Sequence, residues 1–168
     1  MITNGQLTTT HPILGPKQGE ITGDPAAVTD RFMIDGNRTD GRLALVEHSL
    51  APRALVAPVH RHSREDEYSY VLAGEIGVLL GDQEVVGRPG DLIYKPRGQW
   101  HTFWNAGDEP ARILEIITAA GLEDLFRELG PRVGDMTPDD LRDLAGRYGC
   151  DLDFAATMPL VERHGLAF

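Results

Sequence analysis

The sequence predicts an all-β fold, a double-sheet jelly roll closed into a barrel, with helices only near the C-terminus. The first observation is a series of short segments rich in aromatic and β-branched residues, separated at nearly regular spacing by Gly, Pro, Asp or Asn. This pattern is typical of antiparallel sandwiches and barrels. The second is a change to a helical apolar period after Thr118. The third is the length of 168 residues, which suits one domain with a sizeable core.

The N-terminal part of the chain predicts an arm followed by a hairpin. Residues 1–28 contain three prolines, four glycines and only short apolar pieces. We expect this arm to pair as an edge strand or to wrap a neighbour. Residues 31–34 and 42–50 are strand-like and flank a turn-rich connection, so they predict a hairpin. His48 lies on the second of these strands, where we expect a packed residue outside the functional site.

The remaining strands complete a barrel that we assign to residues 29–120. Turn residues separate them, most clearly at residues 81–83 and 105–108. Strands are predicted at residues 55–62, 67–72, 75–80, 85–86, 91–94, 100–104 and 111–118.

Helices are predicted in a C-terminal extension, residues 121–168. The apolar side chains of residues 121–130 fall on one helical stripe that ends at Gly130 and the following proline. A second helix begins after Thr137, a good N-cap residue followed by proline at the first helical position. A third short helix is expected near residues 159–164. We expect these helices to pack on the outside of the barrel or over its mouth.

The charge balance argues against two classes of partner. The chain has 16 basic and 26 acidic residues, a formal net charge of −10, and no cluster of lysine or arginine. Nucleic acids and anionic membranes are held largely by positive charge, so we expect neither as a partner. Apart from Glu67, acidic residues such as Glu65 and Glu123 are expected to lie on a solvated surface.

Location and assembly are predicted from what the sequence contains. It shows no signal segment and no apolar run of membrane-spanning length, so we expect a soluble, cytoplasmic protein. Cys150 is the single cysteine, which excludes an internal disulfide and agrees with a reducing compartment. We expect it to be a small apolar filler. The long arm and the sheet faces are compatible with a homodimer.

Potential metal ligands cluster within residues 58–74. His60 and His62 are two residues apart, so on a β-strand their side chains point to the same side and can bind one ion. The polar run at residues 63–66 predicts a bend. Glu67 is then expected on a second strand, beside the first.

A further candidate ligand, His101, follows a turn at Pro96 and Gly98. A lone histidine is more often a surface or hydrogen-bonded core residue than a ligand. Two histidines on one face, an acid after a bend and a third histidine after a turn predict a metal site instead.

Strand alternation also predicts the neighbours of this site. Ser69 and Val71 share the face of Glu67, and Phe103 shares the face of His101. An apolar cavity with few polar groups would fit an aromatic or other hydrophobic small molecule as substrate.

Together these residues form two spaced motifs. The first is His-x-His, four residues, Glu, six residues and Gly; the second is Gly, five residues, Pro-x-Gly, two residues, His, three residues and Asn. In both motifs the chain resembles the cupin superfamily. The family's pattern has Gly where this chain has Ala54. The matching positions are His60, His62, Glu67, Gly74, Gly90, Pro96, Gly98, His101 and Asn105.

The resemblance implies a double-stranded β-helix, the jelly-roll barrel, with a metal held by His60, His62, Glu67 and His101. Each motif occurs once, which implies a single such domain. Three imidazoles and one carboxylate suit Fe, Mn, Ni or Co, with Cu or Zn less favoured. A divalent ion with one carboxylate leaves a local charge of about +1, which favours a monoanion such as an enolate, and open ligand positions would make the centre reactive.

Residues 60–67 and 114–129 also resemble small bacterial monocupins of the quercetinase-like (quercetin 2,3-dioxygenase-like) group. In that group the metal holds the deprotonated flavonol, the ligand Glu acts as base, and O2 cleaves the ring. Carried over, Glu67 is the base. A dioxygenase acting on a small molecule with O2 is the first hypothesis. An oxygen-independent isomerase, cyclase or decarboxylase and a non-enzymatic metal- and small-molecule-binding barrel are the alternatives.

Overall fold

The computed structural model describes residues 7, 13–130 and 132–167. Strands form most of the regular structure in this part of the chain, and the α-helices follow them. The strands are β1 (Glu20–Gly23), β2 (Val28–Ile34), β3 (Leu43–Leu50), β4 (Val59–His62), β5 (Asp66–Ala73), β6 (Ile76–Leu80), β7 (Gln83–Gly87), β8 (Leu92–Lys95), β9 (His101–Asn105), β10 (Ala111–Thr118) and β11 (Cys150–Asp153). The helices are α1 (Leu122–Leu129), α2 (Pro138–Arg147) and α3 (Phe154–His164).

The strands form two antiparallel sheets. One has six strands in the order β1-β2-β3-β10-β5-β8, and the other has five in the order β11-β4-β9-β6-β7. Val71 and Ile113 of the first sheet share an apolar cluster with Val78 and Phe103 of the second, so the two sheets face each other across one core. This arrangement confirms the predicted all-β jelly roll.

Strand β10 shows how the barrel interior is filled. Ala111, Ile113 and Ile117 are buried on its inner side, whereas Arg112 is exposed on its outer side. Glu115 has the inner parity too and is also buried. Ile113 and Ile117 belong to two separate apolar clusters, so the interior is apolar towards both ends and polar between them. The candidate site lies in this polar middle layer.

Helices α1 and α2 cover one end of the barrel. Leu125 of α1 and Leu144 of α2 pack with Val46 and Ile117, which line the inner side of the six-stranded sheet. Thr137 forms a capping box at the start of α2, as its sequence predicts. The expectation of helices packed on the barrel is confirmed. In the described part of the chain, no helix is both long and apolar enough to span a membrane.

Strand β11 was missed by the sequence analysis, which expected only a short helix near residues 159–164. Residues 150–153 pair instead with the free edge of β4, and α3 begins directly after them. Leu160 of α3 packs with Leu55 and Trp104 on the five-stranded sheet. A strand of four residues whose partners lie 88 to 94 positions earlier has too weak a local pattern to be recognised.

The expectations for the N-terminal arm and for two acidic residues had different outcomes. Strand β1 pairs with β2 as an edge strand, as predicted for the arm, while residues 1–6 and 8–12 of the arm lie outside the described residues. The surface position expected for Glu65 and Glu123 was wrong, because both side chains are buried. Glu123 accepts hydrogen bonds from the backbone N–H groups of Gly36 and Gly121, which offsets its burial.

Candidate metal centre

The predicted ligands come together inside the barrel and are contributed by both sheets. His60 and His62 lie on β4, and His101 on β9 is directly opposite His60 in the five-stranded sheet. Glu67 lies on β5 in the six-stranded sheet. The prediction that Glu67 returns beside the first strand was therefore wrong. The bend at residues 63–65 carries the chain from one sheet to the other, so Glu67 faces the histidines across the barrel.

Alternation along β4 directs its histidines inward. Arg61 points outward, where its Nε donates to a carboxylate oxygen of Asp151 on β11, while His60 and His62 are buried. The turn before β9 is tied to the same strand, because Gly98 N–H donates to the carbonyl oxygen of His62 at 2.7 Å. The φ of Gly98 is 79°, a backbone conformation that favours glycine.

The departure from the motif at Ala54 does not disturb the site. The left-handed residue in this turn is its neighbour Arg53, with a φ of 61°. The Ala54 carbonyl accepts a hydrogen bond from the backbone N–H of Asn105, so it links the start of the first motif to the end of the second.

The geometry of the four side chains suits a single ion. Their ligand atoms all lie within 4.8 Å of one another. Glu67 Oε2 is 3.1 Å from Nε2 of His62 and 3.1 Å from Nε2 of His101. Both ring nitrogens of His62 are buried and lack a partner with hydrogen-bond geometry among the described residues. Buried polar atoms of this kind call for a ligand, and three imidazoles with a carboxylate are a donor set for divalent transition metals. The residues present therefore fit the predicted metal.

Backbone carbonyls orient two of the histidines. His60 Nδ1 donates to the Pro58 carbonyl at 2.7 Å, and His101 Nδ1 donates to the Gln99 carbonyl at 2.9 Å. Because a carbonyl oxygen only accepts, both bonds place a proton on Nδ1 and leave Nε2 for a metal.

Burial and neighbouring charges set the protonation of the cluster. Burial, together with His101 and His62, lowers the pKa of His60 well below its usual value. Burial also opposes a charge on His62, but Glu67 outweighs it and raises the pKa of His62 to about 10. Burial likewise opposes the charge of Glu67, yet Lys95 and His62 hold the pKa of this carboxyl well below its usual range. Without a metal, an imidazolium at His62 therefore faces a carboxylate.

Metal affinity is expected to depend steeply on pH. A ligand histidine must lose its proton, so the affinity should rise by about tenfold per pH unit from roughly pH 7 to pH 9 and level off as the pH passes the pKa of His62. Glu67 stays ionised over this pH range, so it does not contribute to the pH dependence of the metal affinity. Competition with a chromophoric chelator at several pH values measures the dependence.

His164→Ala is the matched control, because His164 lies on α3 and contacts Glu84 away from the cluster. The control should keep the same slope, and an affinity that stays flat between about pH 7 and pH 9 would contradict a protonated His62. In the metal-free protein, the raised pKa of His62 also stabilises the fold. That contribution is complete below about pH 6.5 and is lost as the pH rises through about 10.

Two buried charged residues beside the ligands were missed by the sequence analysis. Lys95 Nζ is 3.6 Å from Glu67 Oε2 and 2.9 Å from Glu115 Oε2. Two signals point to them in retrospect. Lys95 has the same strand parity as the buried Ile93, and Glu115 interrupts the apolar inner side of β10.

The predicted neighbours do line this region. Ser69 Oγ donates to Glu115 Oε2 at 2.7 Å, and the Phe103 ring lies 4.3 Å from Lys95 Nζ. His48 is buried, as expected for a packed residue outside the ligand set, and its Nδ1 is 2.7 Å from an Asp30 carboxylate oxygen.

Comparison with known proteins identifies a matching family model and two similar proteins. Residues 46–117 match the family model described as the cupin domain. Tetracenomycin polyketide synthase protein TcmJ from Streptomyces glaucescens is 34% identical over 80 residues, which cover 48% of this chain and 52% of TcmJ. A gentisate 1,2-dioxygenase from a Streptomyces species is 36% identical over 86 residues, which cover 49% of this chain and 24% of that protein. The chain therefore spans about half of the first relative and about a quarter of the second.

Solved structures share the same barrel. The polyketide cyclase RemF from Streptomyces resistomycificus matches with a TM-score of 0.54 and 26% identity, covering 64% of this chain and 78% of RemF. KdgF from a Halomonas species matches with a TM-score of 0.56 over 73% of this chain and 99% of KdgF, and its 15% identity supports the fold alone. The facing sheets, the two spaced motifs and the family match lead to one conclusion: this chain carries a cupin domain, at residues 46–117.

Proposed function

We propose that this protein is a metal-dependent dioxygenase that cleaves a small enolisable or aromatic compound with O2. The observation that carries the proposal is the setting of Glu67. It is the single carboxylate in a buried cluster with three imidazoles, and one of its oxygens lies 3.1 Å from two of them. A carboxylate in this position can serve as a ligand and as the base for a substrate proton. Flavonols and β-diketones offer such a proton.

The site residues have separate roles in this proposal. His60, His62 and His101 hold the metal, with Nε2 available on His60 and His101 because Nδ1 of each donates to a carbonyl. A bound divalent ion, Fe, Mn, Ni or Co, would stabilise negative charge on the substrate. Glu67 takes the proton. The buried Phe103 on the inner face of β9 packs against the ammonium of Lys95, which lies beside this carboxylate.

Oxygen uptake tests the proposal. The purified protein is stripped of metal, reloaded in turn with Fe, Mn, Co and Ni, and offered quercetin, related flavonols, simple β-diketones and gentisate. The last compound enters the panel because one relative is named a gentisate 1,2-dioxygenase. Metal-dependent uptake that matches product formation supports the dioxygenase and identifies its ion. Product formation without any uptake would count against it.

Oxygen-independent chemistry is the second candidate, as a cyclase, isomerase or decarboxylase. It is favoured by the similarity to TcmJ, named as a polyketide synthase protein, and to RemF, named as a polyketide cyclase. The same proton transfer to Glu67 would begin such a reaction. Turnover in an anaerobic chamber identifies it. Tight binding of these compounds without product, in air or without it, would instead indicate a metal- and small-molecule-binding barrel.

A further inference from the structure

Lys95 is a fully buried cation beside one of the ligands. Its side chain on β8 is 0% exposed, and its backbone is directly opposite Glu67 on β5. The ammonium lies 2.9 Å from Glu115 Oε2, 3.6 Å from Glu67 Oε2 and 4.3 Å from the Phe103 ring. Ser69 Oγ donates a hydrogen bond to the same Glu115 oxygen at 2.7 Å. This bond orients the carboxylate that pairs with the Lys95 ammonium.

Stability alone is a weak reason for this arrangement. The desolvation of a buried ion pair largely offsets its attraction, and apolar residues of similar volume often stabilise a fold as well or better. The pair here is also incompletely satisfied, because Glu115 Oε1 is buried without a hydrogen-bond partner among the described residues. A buried pair is weak evidence for a stabilising role, so its contact with Glu67 points to a role at the site.

The contact involves the oxygen that the metal would need. Glu67 Oε2 is 3.6 Å from Lys95 Nζ and also 3.1 Å from Nε2 of His62 and of His101. A metal among the histidines and the ammonium of Lys95 would therefore compete for one carboxylate oxygen. In a buried site this competition is strong, because the low local dielectric amplifies both attractions.

We propose that Lys95 is a positioning residue that weakens the bond between Glu67 and the metal by offering the carboxylate a second cationic partner. Glu115 and Ser69 anchor Lys95 so that this partner stays in place. The inference rests on the proposed function, in which Glu67 must leave the metal to act on substrate. It turns Glu67 from a permanent ligand into an exchangeable one.

The two partners of the ion pair then have opposite effects on metal binding. Lys95→Met removes the competitor and should tighten Co2+ binding by at least about tenfold. Glu115→Gln leaves Glu67 as the carboxylate partner of Lys95 among the described residues and should weaken Co2+ binding by a similar factor. A pair that only holds the fold predicts the same direction for both variants, because each of them breaks the pair. Lys17→Met is the matched control, since Lys17 is the other lysine of the chain and is exposed, and it should leave the affinity unchanged.

Two further variants separate competition for Glu67 from simple charge repulsion and from misfolding. The double substitution Lys95→Met with Glu115→Met keeps the net charge and replaces the pair by apolar side chains, so it should fold and still bind Co2+ more tightly than the wild type. In a Glu67→Gln background, Lys95→Met should lose most of its effect, because the carboxylate for which Lys95 competes is gone.

The probe is Co2+ alone, measured by chelator competition and by the d–d absorption of the bound ion, with near-UV circular dichroism to confirm folding. Opposite signs for the single variants, with loss of the Lys95 effect in the Glu67→Gln background, support the inference. Weakened binding in both single variants, or an undiminished Lys95 effect without the Glu67 carboxylate, would overturn it. Neither result needs a substrate, so failure of the dioxygenase assay leaves this test intact.

Discussion

His62→Ala is expected to lower the metal content from about one ion per chain to less than about a tenth, under conditions that saturate the wild type. Both ring nitrogens of His62 are buried and have no partner with hydrogen-bond geometry among the described residues, so a bound metal would satisfy this side chain. Its removal also frees Glu67 Oε2 from a contact of 3.1 Å. Metal analysis of dialysed protein by mass spectrometry measures the loss.

The matched control for this substitution is His164→Ala on α3, outside the ligand cluster. That variant should keep the wild-type metal content. Circular dichroism checks that His62→Ala remains folded, because the substitution also removes the contact of His62 with Glu67. Full retention of metal in a folded His62→Ala protein would show that the ligand assignment is wrong.

Glu67→Gln is expected to reduce turnover by about 10²-fold or more while metal occupancy falls much less. Glutamine has the shape of glutamate and keeps an oxygen that can face the metal, but it cannot accept a substrate proton. The three histidines remain, and two of them are still oriented by their backbone carbonyls. Turnover is measured at saturating metal, with the substrate found in the oxygen-uptake or anaerobic screen.

The role of Glu67 is decided by comparing the loss of turnover with the loss of bound metal in the Glu67→Gln variant. A large loss of turnover with metal retained identifies the base. Equal losses of turnover and metal would restrict Glu67 to a ligand role. The control is Glu47→Gln, because Glu47 pairs with Arg31 and Arg112 away from the cluster, and it should leave both quantities unchanged.

The shared direction of His60 and His62 was predictable from the sequence because it depends on short-range spacing. His60 and His62 are two positions apart on one strand, and strand alternation then fixes their common direction. The same argument placed Ser69 and Phe103 inside the barrel, where the structure has them. Capping at Thr137 is equally local, so the start of α2 was predictable too.

The remaining features depend on contacts between distant parts of the chain. The position of Glu67 on the facing sheet depends on where the bend after β4 leads, and a polar run does not specify this. The contact of Lys95 with Glu67 and Glu115 arises from the pairing of β5 with both β8 and β10. Strand β11 pairs with β4, which lies far earlier in the chain. The expected homodimer and cytoplasmic location stay predictions.

A crystal structure of the metal-loaded protein tests the central claim most directly. Anomalous diffraction recorded on both sides of the absorption edge of the added Co2+ locates the ion without reference to any substrate. We expect one peak per chain, about 2.0–2.2 Å from a nitrogen of His60, His62 and His101 and from an oxygen of Glu67, as is usual for imidazole and carboxylate ligands of such ions. A protein that binds Co2+ with its peak elsewhere, or with these four side chains unchanged around an empty centre, would contradict the account.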